Sequence, residues 1–235
     1  MIIYFSIIYT KIGLLFFLNR ISNDATIYPL PANILKAFNR EYFNKQSNRV
    51  VAMPERMSAS FGIAAVVTLY ASISASILLS PWFSWINNAL SDLGNVGTSS
   101  AADVFNVGLL LAGLFTILYS VLSLRSQAPV ASYFLAFTGF SLQLVGALNE
   151  TYGGLHFDVS VILFVSLLAS SLVYLAERRS PLALIALIGI IPWVMVFQNV
   201  VFVGEAIPEI ISSLVVMPWI ISTIVKALRY KKIET

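Results

Sequence analysis

Six carboxylates, a single histidine and a group of amides fall in three short polar segments of an otherwise apolar chain, and these are the residues with which the sequence could do chemistry. The first segment reads Asn87-Asn88-Ala89-Leu90-Ser91-Asp92-Leu93-Gly94-Asn95, with Asp103 and Asn106 close behind it. The second is Asn149-Glu150-Thr151-Tyr152-Gly153-Gly154-Leu155-His156-Phe157-Asp158, and the third holds Gln198, Asn199, Glu205 and Glu209. Three chemistries suit these residue types. Group transfer needs a hydroxyl beside a base, which makes Ser91 a candidate nucleophile and His156 a candidate general base, with carboxylates to orient the ring or bind a metal. Metal binding through carboxylates favours Ca²⁺, Mg²⁺ or Mn²⁺, because zinc sites of this kind usually draw several histidines and this chain has one. Simple binding of a cation or a lipid headgroup follows from the clustering of acids without an opposing Lys or Arg.

The elements that must position these residues are long and apolar. Hydrophobic residues make up 58% of the 235, charged residues only 11%, and the mean hydropathy is +0.86, beyond what a water-facing surface tolerates. Uncharged runs cover 58–80, 104–124, 129–148, 159–176, 181–203 and 210–225, each close to the ~20 residues that carry an α-helix across about 30 Å of hydrocarbon. The runs are continuous rather than alternating, which excludes a β-barrel. The predicted architecture is an all-α polytopic bundle of six transmembrane helices, residues 57–235, preceded by an apolar segment in an extension over residues 1–56.

Basic residues orient the bundle. Beyond Met57 they are Arg125, Arg178, Arg179, Lys226, Arg229, Lys231 and Lys232, all following the second, fourth or sixth span. The positive-inside rule then assigns that end and the carboxy terminus to the cytoplasm of a plasma-membrane protein, and the acidic segments to the outer face. The net charge of +3 is dispersed between spans, which speaks against nucleic acid as a partner. The absence of Cys removes disulfides, thiolate metal sites and cysteine nucleophiles. Over 1–56, a marginal span, an uncleaved signal-like segment and an interfacial helix all fit the pattern, and Met57 is an alternative start.

Inside the spans, Ser and Ala over 71–76 and glycines at 108, 113, 139, 146 and 189 predict close helix packing, and Pro192 and Pro218 predict kinks. In the first link, Ser91 and Asp92 are expected to cap a short helix ended by Gly94, while Ser100 and Asp103 match a capping box for the second span. The Gly153-Gly154 pair predicts a tight turn that puts His156 at the start of the fourth span. Gln143, Gln198 and Asn199 lie within apolar runs, where amides face a partner or a cavity. Together these features predict an outer pocket built from Asn88, Ser91, Asp92, Asn95, Asp103, Asn106, Glu150, His156, Glu205 and Glu209.

The string Ser91-Asp92-Leu93-Gly94-Asn95, then Phe105-Asn106, then a histidine after a Gly-rich turn resembles the prokaryotic integral membrane proteins of domain of unknown function family 998. The S-D-x-G loop is more distantly similar to DRAM and Sfk-type membrane proteins. The resemblance spans roughly 58–226 and implies an architecture rather than an activity. Three functions stay open: binding of a lipid headgroup, cation or membrane partner in the outer pocket; a membrane-embedded lipid hydrolase or transferase using Ser91, Asp92 and His156; and a scaffold whose loops only cap helices. No charge lies at mid-membrane, which disfavours coupled transport.

Overall fold

The computed structural model describes residues 55–198, 200 and 204–229; the amino-terminal apolar segment, Asn199, Lys231 and Lys232 lie outside the described residues. The described chain is helical and contains no strand. Helix α1 is Glu55–Leu78. Helix α2, Ala102–Tyr119, runs on through a π turn at Ser120–Leu124 to Gln127. Helices α3, Pro129–Ala147, and α4, Gly154–Arg178, follow. A 3₁₀ segment, Pro181–Gly189, then leads directly into α5, Ile190–Phe197. The last span is two pieces, α6 at Ala206–Leu214 and α7 at Met217–Arg229. The protein is a multi-pass integral membrane protein: apolar side chains such as Val67, Phe137 and Val165 stand half exposed or more on the outside of the bundle, where only lipid suits them.

Five of these helical stretches are long and apolar enough to cross a membrane; within the expected fifth span, 181–203, the described helix is the shorter Pro181–Phe197. Its geometry compensates for its length. Nine residues rising about 2 Å each as 3₁₀ helix and eight rising about 1.5 Å each as α-helix cover roughly 30 Å, a full hydrocarbon thickness. The prolines mark changes of helix form. Pro192 stands just past the passage from the 3₁₀ segment to α5, where the Gly189 carbonyl accepts from Ser212 Oγ, and Pro218 stands in the first turn of α7, after the chain breaks over Val215 and Val216.

Small residues bring the helices together. A Cβ on Gly108 would fall 2.1 Å from Cβ of Ser72 on α1, and a Cβ on Gly113 or Gly139 would fall 2.5 or 2.8 Å from the other's carbonyl oxygen. The α1–α2 and α2–α3 pairs therefore approach backbone to backbone. Toward the basic end, Trp219 is fully buried, stacks on Tyr174 at 4.7 Å and donates Nε1–H to Ser171 Oγ at 2.9 Å. Tyr119 donates its hydroxyl to Thr223 Oγ1 at 2.7 Å, tying α2 to α7.

One amide expectation changes. Gln143 donates Nε2–H to the Leu110 carbonyl at 3.2 Å, so it joins α3 to α2 and lines no pocket, while Gln198 is exposed. The basic end has a device of its own. Glu177 on α4 accepts from the Val130 and Ala131 amides at 2.9 and 2.8 Å, and so caps α3 from a neighbouring helix. A carboxylate on free N–H groups at a helix start is favoured by hydrogen bonding and by the helix dipole. Replacing Glu177 with Ala should lower unfolding stability in detergent by about 1 kcal/mol, with Glu177→Gln intermediate, measured by denaturant titration of helical circular dichroism.

Candidate functional site

The acid-rich end of the bundle is organised by the first polar link. Residues Leu90–Gly94 form a 3₁₀ turn. Asp92 Oδ2 accepts from the Ala89 amide at 3.1 Å and from Asn88 Nδ2 at 2.9 Å, while Asn88 Oδ1 accepts from the Ser84 amide at 2.9 Å. Asn88 and Asp92 thus brace the turn, and Ser91 takes no part in the capping. Leu93 is fully buried and plugs the turn into the apolar layer. Asn95 Oδ1 accepts from the Gly97 amide at 2.9 Å and shapes the exit.

Asn106 on α2 holds the turn from below, donating Nδ2–H to the Gly94 carbonyl at 2.8 Å. A Cβ at position 94 would fall 2.5 Å from Asn106 Oδ1 and 2.8 Å from the Phe105 ring, so only glycine lets the two segments meet this closely. The Ser91-Asp92-Leu93-Gly94-Asn95 and Phe105-Asn106 strings are therefore two halves of one clamp.

The third polar link docks beside the first. Gly204 donates its amide to the Ile86 carbonyl, and Ala206 donates to the Asn88 carbonyl at 3.0 Å. Glu209, buried in the first turn of α6, accepts from the Leu90 amide through Oε2 at 2.6 Å. The second link completes the group. Gly153, at φ 56°, makes the sharp turn into α4, which places His156 in the first turn of that helix. His156 is buried; its Nδ1–H donates to the Leu148 carbonyl at 2.6 Å, and its Nε2 lies 3.1 Å from Glu150 Oε2 and 3.4 Å from Ser160 Oγ. With Nδ1 committed as donor, a proton on Nε2 makes the Glu150 contact an ion pair, and the unprotonated ring accepts from Ser160.

Between α4, the 3₁₀–α5 span and α6 lies a cavity of about 310 Å³, lined at its polar end by Ser91, Glu150, His156, Ser160, Glu205 and Glu209 and elsewhere by apolar side chains including Phe164, Trp193 and Phe197. A second, almost wholly apolar cavity of about 140 Å³ lies deeper, among α1, α2, α3, α4 and the last span. Ser91, Ser160 and Glu209 line both.

A family model described as protein of unknown function (DUF998) matches residues 63–226. The chain belongs to this family. No curated protein and no solved structure matches it. The match covers all three polar links, so the Gly94–Asn106 clamp and the cavity both lie within the DUF998 region.

Of the ten residues expected to form one pocket, five line the cavity of this DUF998 protein: Ser91, Glu150, His156, Glu205 and Glu209. Asn88, Asp92, Asn95 and Asn106 build the wall behind it instead. Asp103 is exposed on α2, whose start carries no side-chain cap; Ser99 Oγ rather than Ser100 takes an amide there, that of Ala101. No hydrogen bond joins Ser91, Asp92 and His156 to one another: Asp92 accepts from Asn88 and Ala89, and the His156 ring meets Leu148, Glu150 and Ser160. Among the described residues, no three His, Asp or Glu side chains gather in an arrangement that would hold a metal ion. Sequence reading missed Ser160, Ser212 and Trp193. Ser160 was findable one turn beyond His156, at i+4 on the same helix face. Ser212 and Trp193, joined by an Nε1–H donation at 3.0 Å, carry no local signal.

Electrostatics follow burial. Glu205 is raised above its ordinary value of 4.5, first by desolvation, then by the charges of Glu150 and Asp92, with His156 acting in the opposite direction. A carboxyl raised on folding leaves the protein most stable while it is protonated in both states. Stability in the ligand-free protein should therefore decline as pH rises above about 4.5, and Glu205→Gln should make that decline shallower in chemical unfolding measured across pH 4–8. At the clamp, Gly94→Ala should cost about 2 kcal/mol through overpacking. Asn106→Ala in the same chain should recover part of that loss in a double-mutant cycle.

Proposed function

We propose that this DUF998 protein is an outer-face lipid-binding protein of the plasma membrane, with its carboxy terminus in the cytoplasm and residues 1–56 an extension apart from the six-span domain. One observation carries the reading. The larger cavity joins a polar end of carboxyls, imidazole and hydroxyls to an apolar wall whose rim residues Phe157, Val165 and Phe197 are each more than half exposed, on surface that faces lipid. A pocket with water-compatible groups at one end and a hydrocarbon-facing rim fits an amphiphile better than a free ion or a soluble solute.

The orientation rests on the distribution of Lys and Arg: among the described residues beyond Met57, Arg125, Arg178, Arg179, Lys226 and Arg229 follow the second, fourth and last spans, at the helix ends away from the cavity. No Lys or Arg among the described residues lines the pocket while three carboxyls do, so a neutral or cationic head is favoured over an anionic one. A divalent cation is the weaker reading, since the acids approach the pocket from separate links and two of them, Glu150 and Glu209, already hold His156 and Leu90.

Filling the cavity tests the proposal. Ser160→Trp should remove one retained lipid per protein in native mass spectra of protein released from nanodiscs, while the exposed-site control Asp103→Asn should keep it. Equal lipid retention in both variants would sink the reading.

A further inference from the structure

The neck between the two cavities carries chemistry that the fold does not use. Glu209 and Ser91 are both nine-tenths buried and both line each cavity. Glu209 gives Oε2 to Leu90, and no hydrogen bond of the described residues takes up its Oε1 or the Ser91 hydroxyl. Both atoms keep accessible surface toward the cavities, where a ligand group can meet them. Ser160 stands at the same neck, its hydroxyl only weakly engaged at 3.4 Å from His156. Beyond the neck the deeper cavity offers only apolar walls apart from a few hydroxyls, so a polar ligand group has reason to stop there.

Resting on the lipid-binding reading above, we infer that the ligand is a primary-amine amphiphile: its ammonium sits at the neck against Glu209 and Ser91, and its tail leaves sideways past Phe164 and Phe197 into the bilayer. The chemistry selects an amine. The free groups at the neck are a carboxyl oxygen, which accepts, and hydroxyls, which both accept and donate, and an R–NH₃⁺ head supplies three N–H donors and a positive charge beside the carboxyls of Glu150, Glu205 and Glu209. A phosphate-only head brings a negative charge to a site of carboxyls. A trimethylammonium head brings the charge without an N–H donor. The tail direction follows from the rim, whose exposed aromatic and aliphatic side chains continue the cavity wall onto the lipid-facing surface.

The test uses the full chain in nanodiscs with three twelve-carbon probes: dodecylamine, dodecyltrimethylammonium and dodecyl phosphate. Binding is read by native mass spectrometry and by isothermal titration. Dodecylamine should bind at least tenfold more tightly than either other probe. Glu209→Gln should reduce its affinity about tenfold, and Ser91→Ala, which leaves the Glu209–Leu90 hydrogen bond intact and so guards against misfolding of the first variant, should reduce it severalfold. Dodecyl phosphate binding as tightly as dodecylamine would overturn the amine assignment and leave the lipid site standing. Unchanged dodecylamine affinity in Ser91→Ala and in folded Glu209→Gln would overturn the placement at the neck. Failure of all three probes to bind the parent protein would overturn this inference and the lipid-binding reading together.

Discussion

A single hydrogen bond, from the Leu90 amide to the buried carboxyl of Glu209, sets the form of the acid-rich end. Leu90 belongs to the link between the first two spans and Glu209 to the start of the last one, 119 positions later. Removing this bond would leave a buried carboxyl and a buried amide unmet, which costs more than the bond itself contributes. Around it the two flanking bonds, Gly204 to Ile86 and Ala206 to Asn88, close the links side by side. The roof over the cavity exists because the first and last spans are tied at this point.

What lies beneath depends on that tie in turn. The Asn106–Gly94 clamp fixes the turn to α2, His156 fixes the second link to the end of α3 through the Leu148 carbonyl, and the cavity is the space these fixed pieces fail to fill. Elsewhere α1, α2 and α3 approach one another closely through glycine and serine, and the smaller apolar cavity lies among them, α4 and the last span. The basic end is built on different principles, with aromatic stacking at Trp219 and Tyr174 and the Glu177 cap on α3. One end is a packed anchor, and the other is an open-sided pocket.

Much of this was legible in the chain. Continuous apolar runs announced membrane helices, because hydrocarbon permits no other reading of such stretches. The Gly153 turn and the small residues of α1–α3 were visible because each acts through local geometry or bare size. The site was half legible. Acidic residues could be assigned to one end, but which of them face inward depends on a 3₁₀ turn whose pitch differs from that of an α-helix, so Asn88 and Asp92 turned to bracing while Ser91 turned to the cavity. Asp103 illustrates the limit from the other side: its spacing from Ser100 fits a capping box, yet α2 begins without a side-chain cap and Asp103 stays in contact with solvent. The 3₁₀ form of the fifth span's first half was not legible, since hydropathy does not encode the rise per residue.

The most direct measurement is amide hydrogen exchange at Leu90 in the nanodisc-embedded protein, compared between the parent chain and Glu209→Ala. The account predicts strong protection of Leu90 in the parent and its loss in the variant, together with loss at Ala206, while amides in the middle of α2 and α3 stay protected. Free exchange at Leu90 in the parent protein would contradict it, since the first and last links would then not be joined and no roof would stand over the cavity.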